Sequence, residues 1–224
     1  MKNIVIVGSG AVAAELTNYI EDAGRYSNDD NRWNILGYLD AQENVAKYWA
    51  KYKLEKPVLG DVHSFEISTQ VSFVVGISNI PFRKQMLDIL RARGAHMVSF
   101  IHPGSIISKT AVLGNHNIIY PFCIVGPNVI IGDDNLFTSY SFISHDCRVG
   151  DNNFFSTAGL SGNVKVGDGN FFGIRSTVLP NLTIGNRNTI QAGMTVDKPI
   201  LNDSLIFHRF KEKVISITNP ANDE

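Results

Sequence analysis

The sequence predicts a mixed α/β chain in two parts. A small open-sheet domain covers residues 1–100, a triangular coil of short parallel strands covers 101–200, and a tail follows at 201–224. Three observations carry this. Apolar residues in the second part recur at every sixth position from Ile107 to Ile190. A Gly-x-x-Asn signature returns once per three such hexads. The first part opens with a β-branched run, a glycine turn and a helical apolar pattern in direct succession.

Composition narrows the function classes. With 44% hydrophobic and 18% charged residues over 224 positions, the chain buries a sizeable core and is not a disordered segment. A net charge of −1 argues against a nucleic-acid or anionic-membrane partner. Apolar runs such as "IVIV" and "FVVGI" fall far short of the roughly 18 residues of a membrane span. Lys2 leads at once into strand-like residues, which is not a signal-peptide pattern, so a soluble cytoplasmic protein is expected. Cys123 and Cys147 alone do not make a disulfide framework.

In the first part, "NIVIVGSGAVAAELTNYIEDAG" reads as strand, turn and helix. Val12, Leu16, Tyr19 and Ile20 fall on one helical face, and Gly24 closes it. The Gly8-Ser9-Gly10 turn exposes backbone N–H groups to a ligand phosphate at a helix N-terminus, in a Rossmann-like arrangement. Ala13 takes the third glycine position of that frame and still permits close helix–strand packing. "WNILGYLDA" is a second strand ending in Asp40, which either contacts a ribose or base or caps the next segment. "SFVVGIS" is a third strand. A helix follows, with Asn79 as its cap, Pro81 in its first turn and Gly94 just past its end. "HMVSF" closes the sheet, and residues 28–34 and 42–56 read as loops or irregular segments.

In the second part the hexad series is Ile107, Leu113, Ile119, Val125, Ile131, Phe137, Ile143, Val149 and Phe155, then Val166, Phe172, Val178, Ile184 and Ile190. The step from Phe155 to Val166 is eleven residues instead of twelve. Gly-x-x-Asn begins at Gly114, Gly132, Gly150, Gly167 and Gly185, at intervals of 18, 18, 17 and 18. Such a period fits a three-faced coil in which each hexad supplies one strand and one corner. One apolar residue per hexad points inward. Small residues two places earlier, including Cys123 and Cys147, fit a cramped inner slot, and glycine is expected to permit the corners. The asparagines, once per coil, stack into a ladder.

His145 in "ISHDCRVG" stands out from the other histidines, for which a structural or solvated role is expected. It lies two residues past the inward Ile143, so it projects near a corner. Its counterpart one coil on is Gly162 or Asn163, inside the irregular stretch "STAGLSGN". A neighbouring carboxylate, Asp146, can hold one ring nitrogen as donor and leave the other free as a base. From the residues alone, a catalytic pair and a surface pair both remain open.

The hexads, with "VIVGSG", "LGYLD", "PVLGD", "VVGISNIPFRK", "FIHPGSIIS", "ISHDC", "GLSGNVKVGDGNFFGIRSTVLPNLTIG" and "NTIQAGMTV", resemble the hexapeptide-repeat sugar acetyltransferases. These include the sialic acid O-acetyltransferases and bacillosamine-pathway N-acetyltransferases, and the resemblance spans residues 1 to about 200. It implies a left-handed parallel β-helix, acetyl-CoA as co-substrate without a metal, and a homotrimer with sites between adjacent prisms. It further implies that the N-terminal domain binds a nucleotide-linked amino sugar through Gly8, Ser9, Gly10 and Asp40. His145 then corresponds to the general base, Asp146 to its orienting acid, and the Gly162 N–H to the donor for the thioester carbonyl.

The sequence departs from the family pattern in four places: the glycine turn, two positions in the coil and the tail. Val12 and Ala13 replace a histidine and a glycine in the turn. Thr138, at an acceptor-contacting position, replaces an asparagine, and Phe154 replaces a second histidine. The tail reads "FHRFKEK", where Lys211 and Lys213 either meet a coenzyme phosphate or are solvated. The expected activity is N-acetylation of a nucleotide-linked amino sugar; O-acetylation of a sugar and a non-catalytic trimeric scaffold are the alternatives.

Overall fold

A computed structural model describes residues 2–26 and 32–207. The N-terminal part is a five-stranded parallel sheet in the order β3-β2-β1-β4-β5. Its strands are β1 (Lys2–Val7), β2 (Trp33–Leu39), β3 (Val58–Gly60), β4 (Ser72–Val75) and β5 (His96–Met97). The helices are α1 (Ala11–Ala23), α2 (Gln42–Tyr48) and α3 (Ile80–Ala92). Asn79 caps α3 by accepting from the Phe82 N–H at 2.9 Å, with Pro81 in the first turn. Ala13 is fully buried, and a Cβ added to Gly76 would lie 3.0 Å from its Cα, so the small residues set how closely α1 approaches the sheet.

Two expectations for this part need correction. Residues 42–48 form α2 rather than a loop, and Trp33 and Asn34 belong to β2. The helix is short and buries none of its residues, so it lacks the apolar stripe that announces α1. "HMVSF" also divides: His96–Met97 ends the open sheet, whereas Phe100–Ile101 joins the coil by pairing with Ile118–Ile119.

From Phe100 to Ile206 the chain winds as a left-handed parallel β-helix with three flat faces. The first face stacks six strands, from Ile106–Ile107 through Phe142–Ile143 and Gly159–Leu160 to Thr195–Val196. The second stacks five, from Val112–Leu113 through Arg148–Val149 to Thr183–Ile184. The third stacks seven, from Phe100–Ile101 to Leu205–Ile206. The hexad residues fill the interior, and Phe137, Phe155 and Phe172 stack with ring centroids 4.7 and 4.4 Å apart. Cys123 and Cys147 are buried free thiols; burial pushes the Cys123 thiol up to about 12.

Asparagine ties coil to coil. Asn117, Asn135, Asn153, Asn170 and Asn188 are all buried. Each Oδ1 of the first four accepts the backbone N–H of the next asparagine at 2.8–2.9 Å. Asn153 Nδ2 also donates to the Gly167 carbonyl at 3.0 Å.

The corners are not built as expected. The left-handed backbone conformation falls mainly on non-glycine residues, among them Asn128, Asp134, Asp146, Asn152, Asn163 and Asn181. Asn and Asp tolerate this region because their side chains bond locally. The repeated glycines answer another need: a Cβ at Gly132 or Gly150 would lie 3.0 or 2.9 Å from the backbone of the next coil. The eleven-residue step falls at a corner. Ile143 still pairs with Leu160, and Thr157 shares the left-handed position with Tyr140. Ser139 therefore has no counterpart.

The N-terminal domain sits on the third face. Leu16 and Ile20 of α1 share one core with Ile118, Tyr120, Leu136 and Phe154. Arg83 of α3, 2% exposed, donates to Asn152 Oδ1 and the Asn153 carbonyl, both at 3.1 Å. Burial pulls its pKa down to about 10, which leaves it charged at neutral pH. No other described segment covers the first and second faces. Lys211, Lys213 and His208 lie outside the described residues.

Replacing Asn153 with alanine strands the Asn170 N–H and the Gly167 carbonyl inside the coil. This is expected to cost about 1–3 kcal/mol, measured by urea denaturation. An unchanged midpoint would show that the ladder is dispensable.

Candidate active site

His145 and Asp146 occupy the corner between the first and second faces, opposite the face that the N-terminal domain covers. His145 Nδ1 and Asp146 Oδ2 are 2.8 Å apart. The other carboxylate oxygen, Oδ1, accepts from Asn128 Nδ2 at 3.3 Å. The bond to His145, and secondarily that to Asn128, hold the Asp146 carboxyl below the usual carboxylate range. Asp146 is therefore ionised at neutral pH and only accepts, so the imidazole must donate from Nδ1. In the neutral ring, Nε2 then carries a free lone pair.

Of the two expected counterparts, Gly162 is the one that shares a column with His145. The column runs Pro127, His145, Gly162, Pro180, as the bonds from Asp146 N to Pro127 O, Asn163 N to His145 O and Asn181 N to Gly162 O show. A Cβ at Gly162 would lie 2.5 Å from His145 Cε1 and 2.6 Å from Nε2. The imidazole thus lies against the glycine, and any side chain there would displace it. Prolines at two levels of this column have no N–H, so the coil does not use an N–H here. Accordingly, the Gly162 N–H finds no acceptor among the described residues. A base nitrogen stands beside an unused backbone donor, the pairing needed to take a proton from a nucleophile and steady a developing oxyanion. Gly159 plays the same spatial role for Phe142, whose ring fills the place of its missing side chain.

Gly8, Ser9, Gly10 and Asp40 come together elsewhere. Asp40 Oδ2 accepts from the Ser9 N–H at 2.7 Å and its hydroxyl at 2.6 Å. Oδ1 accepts from the Ala41 N–H and Asn44 Nδ2. The carboxylate therefore fixes the glycine turn from below. Gly8, Gly10, Asp40 and Gly76–Asn79 line a crevice of about 390 Å³ at the carboxyl ends of β1, β2 and β4, whereas Ser9, expected at the ligand, is fully buried beneath the turn. There the chain leaves β1 for β2 on one side and β4 lies on the other, the switch point where open α/β sheets take ligands. Asn44, Tyr48 and Tyr52 complete its wall. Sequence reasoning missed these three, although their spacing of four is itself a helical signal.

Thr138 lies at the corner between the third and first faces, apart from His145. Its Oγ1 accepts the Thr157 N–H at 2.8 Å and so closes the shortened corner. A cavity of about 1040 Å³ is at the remaining corner under α3, lined in part by Lys84, Asp133, Asp151, Asp168 and Arg187. On one chain, neither the crevice nor this cavity includes His145. Asn128 was also missed; it precedes Asp146 by one period of 18 residues.

No family model and no curated protein matches the chain. Solved structures do match along nearly its whole length. The acetyltransferase domain of PglB from Neisseria gonorrhoeae, in complex with acetyl coenzyme A, is 21% identical; 91% of this chain and 96% of that one align with a TM-score of 0.75. WeeI from Acinetobacter baumannii is 18% identical over 92% and 97%, with a TM-score of 0.76. PerB from Caulobacter crescentus, in complex with CoA and GDP-perosamine, is 21% identical over 92% and 93%, with a TM-score of 0.69. Structures of the Caulobacter enzyme with one histidine replaced by asparagine or alanine also hold CoA and GDP-perosamine. These likenesses establish the shared fold.

Proposed function

We propose that this protein is an acyltransferase that moves an acetyl group from acetyl-CoA to the amine of a nucleotide-linked amino sugar. The observation that carries the reading is the His145 imidazole, oriented by Asp146, lying against the Gly162 backbone and its unused N–H. Acetyl-CoA supplies an already activated thioester, so direct attack suffices and no side chain need become acylated. His145 Nε2 accepts the amine's proton as the nitrogen bonds to the carbonyl carbon. The negative charge then gathering on the carbonyl oxygen faces the Gly162 N–H. The ionised Asp146 stabilises the imidazolium, which can return its proton to the departing thiolate. The ligands named for the Neisseria and Caulobacter structures support the same pairing of coenzyme and acceptor here.

The N-terminal crevice suits the acceptor's nucleotide. The Gly8 and Ser9 N–H groups are taken by the Leu39 carbonyl and the Asp40 carboxylate, so the anion's place is the α1 N-terminus at Gly10, which has no side-chain cap and favours a group such as a diphosphate. That crevice lies over the third face and His145 at the opposite corner, so two copies of the chain are needed to unite them. The first face and its corner expose Ile106, Phe122, Ile124, Tyr140 and Phe142, a continuous apolar surface suited to a second prism. We assign the working form as a homotrimer with sites between prisms. Light scattering at micromolar concentration should give three times the chain mass; a monomer would refute the shared site.

A thiol-release assay with acetyl-CoA, run against UDP-, dTDP- and GDP-linked amino sugars and their hydroxyl counterparts, tests the activity. Turnover should require the amine. His145→Ala should lower it by about 10²–10⁴, the usual contribution of a placed general base, with acetyl-CoA affinity little changed. Asp146→Asn should cost less, since it keeps the side chain's size but loses the charge facing the imidazolium. Both variants should melt like the parent, because neither side chain enters the core. Near-normal turnover by a folded His145→Ala protein would leave the pair as surface decoration.

A further inference from the structure

We propose that Asn128 is a positioning residue for the His145–Asp146 pair, the third member of a relay that crosses two coils of the same corner. The inference rests on the reading of His145 as the general base. Asn128 and Asp146 hold equivalent left-handed corner positions, with φ of 57° and 62°. Asn128 is itself held at its backbone. Its N–H donates to Thr110 Oγ1 at 3.0 Å, and its carbonyl accepts from Arg148 Nη1 at 2.7 Å. The free end of the side chain then donates to Asp146 Oδ1 at 3.3 Å.

This contact matters because Asp146 is half exposed, with 51% of its side chain open to solvent. A carboxylate there, held by one partner only, rotates and exchanges that partner for water. With Asn128 on Oδ1 and His145 on Oδ2, both oxygens are assigned, and the imidazole is kept in the form that protonates Nδ1 and frees Nε2. The coil on the other side offers no substitute. Asn163, the next residue in the column, turns its amide to Asn181 Oδ1 at 2.9 Å. Charged neighbours act differently: Arg148 and Lys165 stand on the adjacent second face, and neither hydrogen-bonds the Asp146 carboxylate among the described residues.

The tautomer of His145 reports the relay directly and needs no substrate. Protein labelled with ¹⁵N-histidine is examined by long-range ¹H–¹⁵N correlation at mildly alkaline pH, with His145→Ala assigning the signal. The parent protein should show His145 protonated at Nδ1. Asn128→Gly removes the amide and suits the corner, since glycine adopts positive φ without strain. Asn128→Asp keeps the shape but puts a second acceptor beside Asp146. Both should shift His145 to a mixture containing the Nε2-protonated form, with melting temperatures close to the parent's. A purely structural asparagine would leave the tautomer untouched, and a parent-like spectrum from folded Asn128→Gly would overturn the inference. The His145→Ala protein separately tests the parent reading by thiol release from acetyl-CoA, so the two can fail independently.

Discussion

The stacking of one coil on the next at a fixed residue spacing is the constraint on which the rest of this molecule depends. The buried asparagine ladder enforces it: each amide serves the backbone of its own coil's neighbour, so a coil displaced by one residue would strand several polar groups in the core. Every outward column inherits this registry. His145 meets Gly162, Asp146 meets Asn128 and Phe142 meets Gly159 because the residues are one coil apart, not because loops were shaped to bring them together. A rigid scaffold of this kind holds an imidazole and a backbone donor in place at little entropic cost.

The same geometry separates what it positions. One face is spent on docking the N-terminal domain, through the α1 core contacts and the buried Arg83. The corner opposite that face carries the His145–Asp146 pair. The switch-point crevice therefore lies on one side of the prism and His145 on the other. The proposed assembly, in which each prism brings its His145 corner to a neighbour's crevice, would resolve the separation, and the exposed apolar first face is consistent with that use.

Much of this was legible in the sequence. The hexads gave the inward residues, the Gly-x-x-Asn spacing gave the ladder, and the position of His145 two residues past Ile143 gave its corner. What escaped has physical causes. Helix α2 buries nothing, so no apolar stripe marks it; Asn44 and Tyr48 of the crevice wall escape with it, as does Tyr52 in the turn that follows, despite their common spacing of four. The corner residues escape because Asn and Asp, like glycine, tolerate positive φ, while close approach between coils explains the glycines. The one-residue deletion left Gly162 and Asn163 as alternatives until strand pairing placed it at Ser139. Asp40 reads in sequence either as a ligand contact or as a cap for the next segment, and in the structure its oxygens hold the glycine turn and the start of the following segment.

The central claim is that the His145–Gly162 corner is where acetyl transfer occurs. A crystal structure with acetyl-CoA tests it most directly. The thioester should lie at that corner, its carbonyl oxygen within hydrogen-bond reach of the Gly162 N–H and its carbonyl carbon open to a nucleophile beside His145 Nε2. Acetyl-CoA seated with its thioester in the Asp133–Asp168 cavity, or at any place remote from Gly162, would contradict it.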